Sequence, residues 1–450
     1  MLQRAMCCFA IVIIISCSQK SPTDNNPGDR DLSEIYSVFQ DSTLARCVGT
    51  SLPEHIAKPT VDDLRFVENV ECTGHGITSL VGLEYCVNII DLNVSENDIS
   101  DLSPIDSLFH LYSLNIRANK IQSIKAVCDL VNLSMLNFSE NNIHDISCLQ
   151  NLQKLTALYI EENNIADMPI LPHLEILYAP DNALSDISSL SHSSDLYSVT
   201  LSNNNIIDIS PLKNLTKLNT LSLKGNHISD ITSLGSLTSL TSLWLTRNRI
   251  SDISSLQQLV ELRYLDLSLN SIRDISAIST LTSLEHLKLD YNPVGDINAL
   301  KGLSNLQELT LDDSDVQDFS TLSSLSSLKQ LSIGKCGLQD ISFVTGCTGL
   351  ESAMFYSNAI TDLSPLQQLE NVRSVWVAHN RISDLSPLAG LENIKLIHIE
   401  YNKINDVSAL VNSPNIGEGD IIDLDGNHLS EKALTVDIPA LRARGVTVKI

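Results

Sequence analysis

Residues 243–262 read LWLTRNRISDISSLQQLVEL, and residues 265–284 read LDLSLNSIRDISAISTLTSL. The two stretches share one frame, L-x-L-x-x-N-x-I-x-D-I-S-x-L-x-x-L-x-x-L, with a period of 22. From residue 97 to residue 292 the frame places Asn97, Asn119, Asn141, Asn163, Asn182, Asn204, Asn226, Asn248, Asn270 and Asn292 in its polar slot. Towards the C-terminus it places Asn358, Asn380, Asn402 and Asn427 there, while His75, Ser314 and Cys336 fill three further copies. Seventeen rungs result, and two steps break the period: Asn163 to Asn182 is short and Asn402 to Asn427 is long, each by three positions. A repeat of this length fixes the architecture before any domain is counted.

Each part of the frame has a physical role. Two apolar residues at alternate positions, such as Leu243 and Leu245, make a short strand with one buried face. The Asn that follows can bond to backbone groups of its own turn and of its neighbours, as a buried amide must. Asp-Ile-Ser, as at Asp252-Ile253-Ser254, reads as a turn before a brief helical segment. What remains is too short for a full α-helix, so 3₁₀ turns are expected on the outer side. One rung cannot bury its apolar side alone; stacking supplies the core.

Both ends of such a stack need covers. Residues 41–56, with Leu44, Cys47, Val48, Leu52 and Ile56, read as an amphipathic helix over the first rung. Residues 431–446 leave the period, and Ala433-Leu434 with Ile438, Ala440 and Leu441 suggest a closing helix that Gly445 stops before a final strand. The repeats over 221–284 resemble the 22-residue leucine-rich repeats of internalins and of phosphatase regulatory subunits of the same class. Residues 76–80 (GITSL) and the tail 424–448 resemble the caps of bacterial secreted members. The resemblance spans about 36–450. It implies an α/β fold: a right-handed leucine-rich-repeat solenoid with a curved parallel sheet on the concave face, 3₁₀ or short helical turns on the convex face, and a helical cap at each end. The expected division is a signal peptide at 1–16, a flexible tether at 17–35, an N-terminal cap at 36–66, the solenoid at 67–427 and a C-terminal cap at 428–450. No immunoglobulin-like region, GW-type module or cell-wall sorting tail is read, so internalin-style attachment is not expected.

The N-terminus points to another mode of attachment. A short basic start, an apolar run over 7–15 and then Ser16-Cys17 suit a secretory segment, too short for a mature bilayer span. Ile14-Ile15-Ser16-Cys17 resembles a bacterial lipobox, which makes Cys17 the expected lipidation site. Residues 18–30 are polar, as a tether needs. Ser18 rather than Asp after the cysteine implies the outer membrane if the cell has two. Beyond Cys7, Cys8 and Cys17 seven cysteines remain, an odd number. Cys72, Cys86 and Cys347 fall on core slots and Cys336 in the polar ladder, while Cys128 and Cys148 lie on adjacent rungs where a disulfide is geometrically open.

The formal charge of −25 tempts a search for a basic partner. Fourteen of those charges are Asp residues recurring four positions after the ladder slot, from Asp101 to Asp406, where they serve the turn. A basic stripe for nucleic acid is missing from the pattern. Motifs for metalloprotease, serine hydrolase or phosphate-binding chemistry are not found, and Asp423, Asp425 and Asn427 imitate a calcium loop only because they fall on rung slots. The reading is therefore non-enzymatic, with no cofactor and no metal expected, and a monomer.

Residues six, four, two and one before each ladder position should face outward. Those four slots per rung hold both tryptophans, six of the ten tyrosines and none of the eight phenylalanines. They are Tyr159, Tyr178, Trp244, Tyr264, Tyr291, Tyr356, Trp376 and Tyr401. Strand preference alone would bring exposed Phe as well. Tyr and Trp without Phe mark a wet contact surface. Arg247 and Lys288 accompany the Trp244 group, and Met354 and His398 flank Trp376 in its column. The function expected is an envelope-anchored protein that binds a protein partner on this concave face. The alternatives are a structural or glycan-binding envelope component, and an intracellular regulatory subunit similar to the phosphatase-binding relatives.

Overall fold

The structure, a computed structural model, describes residues 31–450. The signal segment, Cys7, Cys8 and the lipidation site Cys17 lie outside the described residues. Three-residue strands recur from Asn69–Glu71 to Ile421–Asp423, one in each of the seventeen rungs, and Thr447–Lys449 adds an eighteenth. Each pairs in parallel with the next in sequence, with the register offset by one repeat: Trp244 faces Asp266, and Met354 faces Trp376, which faces His398. The alternating frame now has its cause. The middle residue of each strand and the apolar residue two further on are buried, as Leu243 and Leu245 are, both fully. Strand ends face out.

Where its slot holds Asn, the polar ladder is tied from rung to rung by hydrogen bonds. Asn292, 1% exposed, donates through Nδ2 to the carbonyls of Leu289 in its own rung (3.1 Å) and Leu267 in the preceding one (2.9 Å). Its Oδ1 accepts from the Ile272 N–H at 3.0 Å. The residue before the ladder position has positive φ in all seventeen rungs, although only three of these residues are glycines: Gly74, Gly225 and Gly426. A left-handed conformation costs most residues about 1 kcal/mol or more, so the bonds on either side hold each corner there. Where Cys336 replaces Asn, its Sγ lies 3.3 Å from the carbonyls of Leu311 and Gly334, and the Asn358 side chain of the next rung accepts from the Cys336 N–H.

The recurring Asp closes the outer turn. Asp252 Oδ1 accepts from the Ser254 N–H at 2.8 Å, and twelve other rungs repeat the contact. Asp167 is the exception. Its rung is the short one, which lacks a 3₁₀ turn and instead bridges Asp167 to Asp186. The outer turns are mostly 3₁₀ helices of three to five residues, with short α-helices at Ser386–Ala389 and Ser408–Asn412.

The N-terminal cap begins earlier than its sequence suggests. The tether was expected to run to residue 35, but Ser33–Tyr36 is helical and Leu32 and Ile35 are buried. Leu32 packs against Gly49 of the helix Ser42–Ser51, which is the amphipathic cover and stops short of Ile56. Asp41 caps that helix through Oδ1 and holds the Thr78 N–H through Oδ2, fastening the cap to the first rung. Cys47 and Cys72 are paired across the same joint, a bond the sequence pattern does not announce, and Cys128 is bonded to Cys148. Cys86, Cys336 and Cys347 are free. At the other end a π-turn, Ala433–Asp437, runs into the helix Ile438–Ala443. Arg444 then donates to the carbonyls of Val411 and Ser413, both at 2.6 Å.

Candidate recognition face

All twelve residues singled out for contact lie outside the core, on the sheet face or its corners, and are partly or fully exposed. Trp376 is 39% exposed and Tyr401 50%, so neither is sealed in the coil. Register explains their grouping. Side chains one repeat apart stand side by side at the strand spacing of roughly 4.8 Å, so aromatic rings in one column meet.

Four groups form along the face. Tyr159 and Tyr178 lie with ring centroids 6.3 Å apart. Trp244 packs on Tyr264 at 4.8 Å, and Tyr264 on His286 at 5.8 Å. Trp376 stacks on His398 at 4.1 Å, and His379 on Tyr401 at 4.4 Å with nearly parallel planes. Tyr356 lies over Gly334, where a Cβ would collide with its ring, and its hydroxyl donates to Asp312 Oδ2 at 2.6 Å. Burial and that bond push the Tyr356 phenol far above its usual range.

Some residues are not brought together. Tyr291 sits at the left-handed corner of its rung with Lys335 Nζ 5.6 Å from its ring, rather than in the Trp244 stack. Arg247 occupies the equivalent corner and is exposed. Two partners escape a search for Trp and Tyr alone. His286 and His379 complete two of the stacks, and each is one repeat from the tyrosine it touches, so the repeat offset would have found them. Tyr112 and Tyr197, each 54% exposed, add aromatic surface one position before the strands.

The face is charged unevenly. Glu161 is pushed upward by burial and by Glu162, Glu140 and Asp181 nearby. Arg117 partly answers this group, reaching Glu96 at 3.0 Å and Glu140 at 2.5 Å. Part of the acidic surplus therefore has a place beside Tyr159 and Tyr178, and is not evenly spread. Near the second aromatic group, Glu308 meets His286 Nδ1 at 3.0 Å and Lys288 Nζ at 2.9 Å. These contacts, His286 first, outweigh burial and bring the Glu308 carboxyl from 4.5 down to about 2. A depressed carboxyl stabilises the fold fully above its unfolded value, and the contribution is lost as pH falls from about 4.5 through about 2. Glu308→Gln should thus lower Tm at neutral pH, with the gap to the parent closing by about pH 2. Melting curves across that range check it; a gap independent of pH contradicts it.

The surface outside this face offers shallow grooves, such as one on the outer side lined by Val316, Phe319, Cys336, Leu338 and Phe343. A parallel sheet, an Asn ladder and an aromatic concave surface define a leucine-rich-repeat recognition module. Comparison with known proteins agrees. Leucine-rich-repeat family models match residues 109–165 and 238–294, and a model of two leucine-rich-repeat copies matches 216–258. An internalin (inlF) from Listeria monocytogenes is 30% identical over 81% of this chain and 96% of its own, with a TM-score of 0.55. The chain belongs to the internalin-like leucine-rich-repeat proteins of bacteria. A leucine-rich-repeat protein of Leptospira interrogans shares the fold at 21% identity, with a TM-score of 0.69 over 87% of this chain and 97% of its own. The plant peptide hormone receptor RGFR1, in complex with RGF2, shares it at 18% identity and a TM-score of 0.63, over 80% of this chain and 67% of its own. No curated protein matches the chain.

Proposed function

We propose that this is a non-catalytic envelope protein, anchored by lipid on Cys17, that binds a protein partner along its concave face. One observation carries the reading: both tryptophans and six tyrosines stand partly or fully exposed on one face, while Phe138 and Phe355 are fully buried. Trp and Tyr combine a large apolar body with a polar tip, which suits a surface that must be stable both wet and covered. The two tryptophans lie six rungs apart, roughly 29 Å at the strand spacing, a span for a protein surface rather than a small molecule. The acidic patch beside Tyr159 and Tyr178 favours a partner with basic side chains at that end. The complex of the plant receptor with RGF2 supports such use of the fold. The Cys47–Cys72 and Cys128–Cys148 bonds support an oxidising compartment over an intracellular regulatory role. No helix among the described residues is long and apolar enough to cross a membrane; in this reading the lipid on Cys17 supplies the attachment.

The test is capture from envelope extracts with and without glycosidase treatment, together with mass spectrometry of the mature N-terminus. The expected result is a protein partner retained after glycosidase and an acylated Cys17 at the N-terminus. Loss of capture after glycosidase would give the face to glycans. An unprocessed chain in the cytosol would remove the anchor.

A further inference from the structure

We infer that His398, Glu400 and Asp423 form a site for one divalent transition-metal ion, zinc being the best match. The topology builds it. His398 and Glu400 are two positions apart on one rung and face the same way, and Asp423 is the register partner of His398 on the next strand. One ligand atom from each lies within 4.8 Å of the other two, the one such group of His, Cys or carboxylate side chains among the described residues. Ligands around a single zinc ion bond at about 2.0–2.2 Å, so a small contraction closes the site.

A second observation points to a missing partner. Glu400 Oε2 is buried and has no hydrogen-bond donor, whereas buried polar atoms are nearly always satisfied. Its other oxygen meets His398 Nδ1 at 3.3 Å, which leaves Oε2 unanswered. The side chains are 15% (His398), 22% (Glu400) and 12% (Asp423) exposed, so the pocket is sheltered but open on the concave side. Trp376, stacked on the His398 ring, fixes the imidazole plane as an outer support of a metal ligand does. Lys449 Nζ, 3.4 Å from Asp423 Oδ2, stands in for a cation from a side chain that is 59% exposed and free to swing away.

One imidazole and two carboxylates match zinc or its neighbours better than calcium or magnesium, which take oxygen alone. Three protein ligands leave a coordination position for water or for a carboxylate or imidazole of a partner. The inference stands apart from the partner reading, because the ion binds to the protein alone.

Calorimetric titration of the purified protein with zinc tests it, with magnesium and calcium as comparisons. The expected result is one zinc per chain, with affinity falling about tenfold or more in His398→Ala and in Asp423→Asn. Lys449→Met should bind more tightly than the parent, since a competing cation is removed. That gain cannot arise from misfolding. Zinc should also raise the Tm of the parent and not that of His398→Ala. Zinc binding that is absent, or equal in the parent and His398→Ala, overturns the site, as does tighter binding of calcium or magnesium.

Discussion

Replacing Asn292 by Ala should destabilise the solenoid by about 2–4 kcal/mol, far more than a surface change of the same size. The side chain is almost wholly buried and makes bonds to two rungs at once. Removing it leaves the Leu289 carbonyl without its amide donor and the Ile272 N–H without its acceptor, while the Leu267 carbonyl keeps only the Asn270 amide. A buried polar group left unsatisfied costs about 1–3 kcal/mol, and relaxation or water entry recovers part of the sum. The same bonds hold Tyr291 in its left-handed corner at φ 55°, so local order at that corner should fall as well. Urea unfolding of Asn292→Ala beside Gln257→Ala, an outer-turn control, measures the difference. A loss under about 0.5 kcal/mol, the ordinary range for surface positions, would mean the ladder is not what joins the rungs.

Trp376→Ala should weaken partner binding by at least about 1 kcal/mol, roughly fivefold, while leaving Tm nearly unchanged. Trp376 makes its contacts on the surface: a stack with His398 and an indole N–H bond to Ser374 Oγ at 2.6 Å. Trp244→Ala should act in the same direction through the loss of its stack on Tyr264. If Trp376→Ala melted the protein and left binding intact, Trp376 would be a packing residue and the C-terminal half of the face would lose its anchor.

The fold is legible because stacked rungs repeat one local solution, so a period of 22 carries the whole topology. Alternation within each strand is enough to separate buried Leu243 from outward Trp244. What stays hidden depends on irregular steps or on the chain ends. Leu32 and Ile35 belong to the cap, yet they sit beside a polar stretch with too few residues to show a helical period. The Cys47–Cys72 pair joins the cap helix, which lies outside the repeat, to the end of the first rung's strand, so no repeat offset predicts their proximity. The left-handed corners are also illegible, since Arg247, Leu269, Tyr291 and His379 share no chemistry and owe their conformation to the ladder. His398 and Asp423 are register partners across the long rung, which carries an insertion, so a search at the regular spacing passes over the cluster.

The most direct measurement is site-specific photo-cross-linking in intact cell envelopes, with the cross-linker placed at Tyr264, at Trp376 or at Gln257 on the outer turn. A concave recognition surface gives the same protein adduct from Tyr264 and Trp376 and none from Gln257. Adducts from Gln257 with silent concave positions would put the contact on the convex side and contradict the account.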